Sequence, residues 1–251
     1  MPTQQKDFIE EKKLQPIALS SEQWEAMQRE FREASFWIAG QEMVEALAVY
    51  RKAAAMVANG DASPAEIRRA VRAALAAARY TPDDFDDVGT FRDIRTPARM
   101  EFIIRTNVEM AAGYAWHKAC SGSLAFPAQR LVRAGQRQRP RDWGQRWRIA
   151  YGSLPAAERA KAAAGSMVAR NDCEIWRRIS RFDQPYAPFD YNSGMILEPV
   201  SYDEAVALGI DMGGYGEGEQ SSFASDARKP DTAGLTNEQA AELEKWLASN
   251  D

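Results

Sequence analysis

The chain has 251 residues, of which 45% are hydrophobic and 10% aromatic, and its formal net charge at pH 7 is −4. This apolar content is sufficient for a folded core and excludes a chain that is disordered throughout. The sequence has no uninterrupted apolar run of about 18 residues, which argues against a transmembrane helix.

The cysteine content limits the kinds of site that the chain can form. Its two cysteines, Cys120 and Cys173, are too few for a disulfide framework or for a zinc site with four cysteine ligands. The first residues lack the apolar segment of a signal peptide. We therefore expect a protein of the reducing cytoplasm.

Charge is distributed unevenly along the chain. Residues 126–181 contain 13 basic and 4 acidic side chains, whereas residues 182–251 contain 3 basic and 14 acidic side chains. A basic centre followed by an acidic tail is typical of a protein that binds a charged partner. The alternative is that the two regions neutralise each other within one fold.

The N-terminal third has the periodicity of helices. Ser20–Gln23 forms a capping box, in which a serine and a glutamine satisfy backbone groups at a helix start. Trp24, Met27 and Phe31 recur three and four residues apart, which predicts one apolar helix face.

Three further helices are predicted before residue 120. The first runs from about Phe36 to Ala58 and ends at Gly60, a residue that tolerates the left-handed turn after a helix. The second begins with the capping box Ser63–Glu66 and stops near Tyr80. After a connector over residues 81–98, the third covers residues 97–119.

After residue 121, the sequence pattern changes from long helices to short strands and short helices. Short strands are predicted at residues 127–134 and 195–200, where β-branched and long apolar side chains are frequent. An alanine-rich stretch at residues 155–170 predicts a helix, and Ser201 caps a short helix that closes at Gly209. Residues 211–251 predict a flexible acidic tail with an amphipathic helix at its end.

These elements predict an α+β protein. A helical N-terminal region, residues 1–98, is expected to pack on a small mixed α/β domain with a short sheet, residues 99–210. A flexible acidic segment, residues 211–251, completes the chain.

Side chains of the kind used in catalysis are few. His117 is the only histidine, and a lone histidine on a helix is usually structural. Cys120 follows one turn later, but a nucleophilic cysteine needs a lowered thiol pKa and an orienting third group, and the sequence indicates neither. No phosphate-binding glycine loop is present. We therefore predict a protein without enzymatic activity, cofactor or metal.

The arginine-rich centre is the strongest functional signal in the composition. Arginine binds phosphate, and aromatic side chains stack on unpaired bases, so this segment is a candidate surface for nucleic acid or for a protein partner. The alternative is a solvated basic surface, or arginines that pair with the acidic C-terminal third. The candidate residues are Arg130, Arg133, Arg137, Arg139, Arg141, Trp143, Arg146, Trp147 and Arg148.

Several short motifs, in one order along the chain, resemble a known family. Residues 99–114 contain Ile103-Ile104-Arg105-Thr106-Asn107 in a predicted helix and resemble an "I-x-R-T-N" helix of the phage Mu F-like minor head proteins, also described as head-morphogenesis proteins. The resemblance spans about residues 35–210. The other matching segments are Ser35–Gly40, Asn59–Arg68, Leu131–Arg141, Ile175-Trp176, Tyr186–Phe189 and Met195–Gly209.

The chain departs from the family at two places. Many relatives have a histidine where Arg141-Asp142-Trp143 stands here, and a Cys-Arg-Cys where Tyr191–Gly194 stands. A metal or thiol role is therefore not carried over to this chain. Threonine and asparagine are poor mid-helix residues, so we expect Arg105, Thr106 and Asn107 to form a buried polar network of structural importance.

The resemblance implies a phage minor head protein that acts in procapsid assembly. Such a protein is associated with the portal and with capsid or scaffold proteins, and it lies inside the head near packaged double-stranded DNA. It is made in the host cytoplasm and ends in the virion. Two alternatives stay open: a nucleic-acid-acting enzyme or toxin-like effector, and a host-side regulatory module that binds nucleic acid.

Overall fold

A computed structural model describes residues 2–82, 85–135 and 140–215, together with residue 241. About 49% of these residues are helical and 11% lie in strands, so the predicted α+β class is confirmed. The described chain forms two compact units, residues 2–111 and residues 112–215. The division lies inside a helix, whereas the sequence placed the boundary before it, at residue 98.

The first unit is mostly helical and contains one small parallel sheet. Lys13 pairs with Ser35 and Leu14 with Phe36. In chain order, its elements are α1 (Pro2–Glu10), β1 (Lys13–Leu14), α2 (Ser21–Glu25), α3 (Arg29–Glu33), β2 (Ser35–Phe36), α4 (Val44–Asn59), α5 (Pro64–Ala77), a 3-10 turn (Phe85–Asp87) and the first part of α6 (Pro97–Cys120).

Both predicted capping boxes of this unit are confirmed. The Ser20 and Ser63 hydroxyls accept hydrogen bonds from the backbone N–H groups of Gln23 and Glu66, and both reciprocal bonds are also formed. Gly60 ends α4 with a φ of 78°, the left-handed conformation that the sequence predicted. These local features need no tertiary contact to be recognised.

The predicted helix from Phe36 is wrong at its start. Ser35 and Phe36 form strand β2, and α4 begins only at Val44. Phe36 is buried beside its parallel partner Leu14, and Gly40 then turns the chain with a φ of 71°. The pairing with β1, which is distant in sequence, overrides the local apolar periodicity.

The second unit is built on a four-stranded antiparallel sheet with the order β4-β5-β3-β6. Helices cover both of its faces. Its elements are the end of α6, β3 (Ala128–Arg133), α7 (Trp143–Ser153), α8 (Ala156–Ala160), β4 (Ala162–Ala163), β5 (Val168–Arg170), α9 (Ile175–Arg178), β6 (Met195–Val200) and α10 (Tyr202–Ala207).

The predicted helix over residues 155–170 is largely wrong. Only α8 is helical there, and the chain then forms the hairpin of β4 and β5, with Met167 at a φ of 50°. Val168 and Ala169 are fully buried and pair with β3. The energy of sheet pairing and burial exceeds the small helix preference of alanine.

Each face of the sheet has its own core. On one face, Leu131, Ala169 and Met195 pack with side chains of α7 and α9, including Trp147 and Trp176. The opposite core consists of Ala128, Val168, Val200, Ala205 and Ile210, so α10 covers that face. The predicted strands at residues 127–134 and 195–200, and the helix after Ser201, are confirmed.

The residues that follow α10 are held in place by hydrogen bonds to side chains at the end of β5. The buried Arg170 guanidinium donates to the carbonyl oxygens of Asp211 and Gly213 at 3.0 and 2.9 Å, and it pairs with Asp172 at 2.6 Å. Tyr215 Oη accepts a hydrogen bond from Asn171 Nδ2 at 3.0 Å. Apart from residues 211–215 and 241, the predicted acidic tail and its helix lie outside the described residues.

Candidate binding surface

Helix α7 places the central part of the arginine-rich segment. Asp142 caps its start, with a side-chain oxygen that accepts a hydrogen bond from Gln145 N at 2.8 Å. Trp143, Trp147 and Ala150 recur at helical spacing and are buried. The opposite face therefore points outward and presents Gln145, Arg148 and Ile149 to solvent.

The two candidate tryptophans belong to the core, which corrects their assignment to the binding surface. Trp143 and Trp147 are only 3% and 0% exposed. Trp147 Nε1 donates to Ala163 O at 3.1 Å, and its ring meets that of Trp176 edge to face at 5.3 Å. Buried rings of this kind are not accessible for stacking on a base.

Two of the candidate arginines converge on one buried carboxylate. Arg146 Nη1 and Arg141 Nε lie 3.0 and 3.4 Å from Asp190 Oδ2, and Asp190 is only 5% exposed. Arg146 also lies over the Trp143 ring, 5.0 Å from its centroid. Part of the positive charge is thus neutralised within the fold, as one of the two sequence interpretations allowed.

The remaining candidate arginines differ in their contacts. Arg130 pairs with Glu204 of α10 at 2.5 Å, and Arg133 Nη2 donates to Arg141 O at 3.1 Å. Arg148 is exposed and has no ion pair within the part of the chain that the structure describes. The other two candidates, Arg137 and Arg139, lie outside the described residues.

An open groove of about 500 Å³ runs along the outward face of α7. Its far wall is Arg178 of α9, which pairs with Glu174 at 2.8 Å and donates to Ser153 Oγ at 3.1 Å. Ile149 is 67% exposed beside it. The groove is lined by Asp142, Gln145, Arg146, Ile149, Ala150, Ser153 and Arg178.

Sequence reasoning missed Ile149 and Arg178 as members of this surface. The signal for Ile149 was present, because the spacing of Trp143, Trp147 and Ala150 places position 149 outside the buried face. Arg178 had no such signal. Its position beside Ser153 depends on how α9 packs on the sheet.

The motif Arg105-Thr106-Asn107 lies in the middle of α6, and its three residues are half-buried rather than buried. Arg105 has carboxylates of Glu101 and Glu109 at 3.9 Å, one turn before and after it. Asn107 Nδ2 donates to Ile103 O at 2.9 Å, which is a hydrogen bond within the helix. These contacts are structural in kind.

The candidate nucleophile and base have pKa values unsuited to those roles at neutral pH. Burial, together with the nearby Arg177, lowers the pKa of His117 to about 4. Burial raises the pKa of the Cys120 thiol and raises that of Cys173 to about 12. Both thiols are therefore protonated at pH 7, whereas the reactive form of cysteine is the thiolate.

The described residues contain neither a cluster of potential metal ligands nor a membrane-spanning helix. No three His, Cys, Asp or Glu side chains within them come together as possible metal ligands. No helix among them has the length and apolar character needed to cross a membrane.

Comparison with known proteins identifies no relative of this chain. No protein-family model matches it, and no curated protein or solved structure matches it either.

Proposed function

We propose that this protein is a phage minor head protein, a non-enzymatic component of capsid assembly that associates with the portal and with packaged DNA. The proposal rests on the ordered series of short motifs between residues 35 and 210, among which Arg105-Thr106-Asn107 is the most specific. It places the protein in the host cytoplasm during assembly and afterwards inside the head.

One structural observation supports a binding role best. The outward face of α7 displays Arg148, which has no ion pair among the described residues, next to a large exposed apolar side chain, Ile149. Behind them, Trp143 and Trp147 fix the helix in the core. A rigid helix that combines charge and apolar area suits a protein interface, where arginine is frequent among the energetically important residues.

The positive charge of the surrounding segment suits a second role, contact with DNA, which has weaker support. Residues 126–181 carry nine more basic than acidic side chains. Arginines that face DNA phosphates give an affinity that falls steeply with salt. An apolar contact with the portal through Ile149 does not have that salt dependence. The effect of salt on the affinity therefore distinguishes the portal from DNA as the partner of this face.

The test is a binding experiment with the portal protein of the same phage. The full chain is co-expressed with that portal protein, and complexes are separated by size exclusion at low and high salt. We expect a complex that the double variant Arg148→Glu/Ile149→Asp loses at both salt concentrations. Lys52→Glu, a charge reversal at an exposed position of α4, is the control and should leave the complex intact.

The outcomes separate the alternatives. A complex that is lost at high salt in the unmodified chain assigns the contact to the arginines. If no complex forms at either salt concentration, the minor-head proposal fails, and DNA-binding and nuclease assays of the same preparation become the relevant measurements.

A further inference from the structure

An exposed apolar patch lies on the second unit, around the start of α10. Four large apolar side chains are exposed there, among them Leu124 at 67% and Val206 at 50%. Tyr202 N donates to Ala125 O at 3.3 Å, which joins the preceding loop to the helix. We name this surface the α10 patch; it comprises Leu124, Phe126, Tyr202 and Val206.

The helical part of the α10 patch is anchored to the sheet. Ala205 is fully buried and packs with Val168 and Val200 on the sheet. Tyr202 and Val206 are four residues apart, so they lie on one face of the helix, and that face points outward. Large apolar side chains fixed in this way are more typical of an interaction site than of a solvated loop.

The surroundings of the α10 patch are acidic. Glu198 and Asp203 are exposed, and neither has an ion pair within the described chain. The neighbouring Glu204 is neutralised by Arg130. A partner for this surface therefore combines apolar contact area with positive charge.

Helix α5 of the same chain has this character on its exposed face. Ile67, Val71 and Leu75 are buried against the first unit. The opposite side exposes Arg69 and Arg72, neither of which has an ion pair among the described residues. Long arginine side chains cover apolar surface with their methylene groups while the guanidinium stays at the rim.

The exposed side chains between these arginines are small. Ala65, Ala73 and Ala76 are exposed on the same helix. Methyl groups allow a partner helix or loop to approach closely, so the apolar side chains of an opposing surface reach the helix while the arginines meet acidic groups at its edge. We name this surface the α5 face; it comprises Ala65, Arg69, Arg72, Ala73 and Ala76.

We propose that the α10 patch of one copy of this protein binds the α5 face of a second copy. Glu198 and Asp203 would then meet Arg69 and Arg72 across the contact. The two surfaces differ, so the contact is heterologous: the first copy still has a free α5 face, and the second still has a free α10 patch. Repetition of such a contact produces a closed ring or a filament rather than a simple dimer.

Contact between two identical α10 patches is disfavoured by charge. It would bring Glu198 and Asp203 of both copies together, and like charges at an interface oppose association. The same reasoning disfavours contact between two α5 faces. Opposite charge is thus the feature that selects the heterologous arrangement.

The experiment uses two charge-reversed variants of the full chain. One carries Arg69→Glu and Arg72→Glu, and the other carries Glu198→Lys and Asp203→Lys. The mass of each in solution is measured by sedimentation over a range of concentrations, alone and in an equimolar mixture. Arg159→Glu, on the exposed face of α8, is the charge control. Far-ultraviolet circular dichroism establishes that each variant is folded.

We expect the unmodified chain and the control to associate beyond the 28.0 kDa monomer as concentration rises. Each variant alone should associate at least about tenfold more weakly, because like charges then meet in every possible contact. The mixture should recover association, since each variant complements the other. A monomer at every concentration, an association that neither variant weakens, or a mixture that stays monomeric overturns the proposal.

Discussion

Gly113 of α6 lies directly against the carbonyl oxygen of Ala187. A Cβ atom at position 113 would be 1.7 Å from that oxygen and 2.7 Å from its carbon, both of which are backbone atoms. Tyr186, which precedes this peptide, packs on α6 as well, with ring centroids 5.7 Å from Tyr114 and 5.9 Å from His117. The absence of a side chain at position 113 therefore allows this loop to approach the helix.

Replacement Gly113→Ala is expected to destabilise the second unit by about 1–3 kcal/mol, because the loop has to move away from the helix. The free energy of unfolding in urea measures the effect. Gly152→Ala is the matched control, since Gly152 also lies in a helix but has open space around a Cβ. It is expected to be neutral or stabilising, by up to about 1 kcal/mol. Equal effects of the two substitutions would contradict the close approach at Gly113.

His117 is expected to make stability depend on pH below neutrality. Its pKa is about 4 in the folded chain, below its ordinary value of 6.5. Between these values the unfolded chain binds a proton that the folded chain does not. The free energy of unfolding therefore falls as the pH drops from 6.5 towards 4, by about 3 kcal/mol from this residue.

The single histidine makes this prediction directly measurable. One imidazole resonance in an NMR titration reports His117 alone, and it should stay in the neutral form down to about pH 5. The variant His117→Gln should lose the corresponding part of the pH dependence of unfolding. An NMR midpoint near 6.5 would show that the ring is solvated, against the burial in this structure.

Asp93 is expected to be a source of acid sensitivity in the first unit. Its buried carboxylate accepts from Arg95 Nε and Nη2 at 2.9 Å and from Gly89 N at 3.0 Å. The hydrogen bonds from the Arg95 side chain are the main cause that lowers its pKa from 3.8 to about 2. Its contribution to stability is complete above pH 4 and is lost as the pH falls towards 2.

Asp93→Asn is therefore expected to cost about 2 kcal/mol at pH 7, measured by thermal or urea unfolding. The difference from the unmodified chain should shrink as the pH is lowered from 4 to 2. Asp61→Asn, at an exposed turn, serves as the control and should have little effect at either pH. A cost for Asp93→Asn that stays constant down to pH 2 would show that the carboxylate charge is not responsible.

Truncation of Trp147 is expected to destabilise the protein strongly, whereas truncation of its neighbour Arg148 is expected to have little effect on stability. Trp147→Ala removes a fully buried indole and its hydrogen bond to Ala163 O, at a cost of about 3–5 kcal/mol. Arg148→Ala removes an exposed side chain and should change stability by less than about 0.5 kcal/mol. Urea unfolding of both variants tests this. If Trp147→Ala did not lower the stability, the assignment of Trp147 to the core would be contradicted, and Trp147 would again be a candidate for the binding surface.

Local signals in the sequence determined a substantial part of this fold. The capping boxes at Ser20 and Ser63 depend on side chains that bond to the backbone three residues away, so they are readable without knowledge of the fold. The long helix α6 and the end of α4 at Gly60 follow from periodicity and from backbone freedom in the same way.

Only the tertiary structure decided the elements that depend on distant partners. Phe36 is a strand residue because Leu14 pairs with it, and residues 162–170 form a hairpin because β3 lies beside them. Neither partner is close in sequence, and the local preferences that opposed these pairings are small compared with burial and sheet pairing.

The candidate surface was also predictable from the sequence only in part. Its arginine content was visible in the sequence, but composition does not tell which arginines are neutralised within the fold. Arg141 and Arg146 converge on Asp190, which lies 49 and 44 residues after them, and the Trp147 ring packs against that of Trp176 in the core. The sequence determines the charge and the apolar content of the segment. Which of its side chains are exposed and which are buried is decided by packing between segments that are distant in sequence.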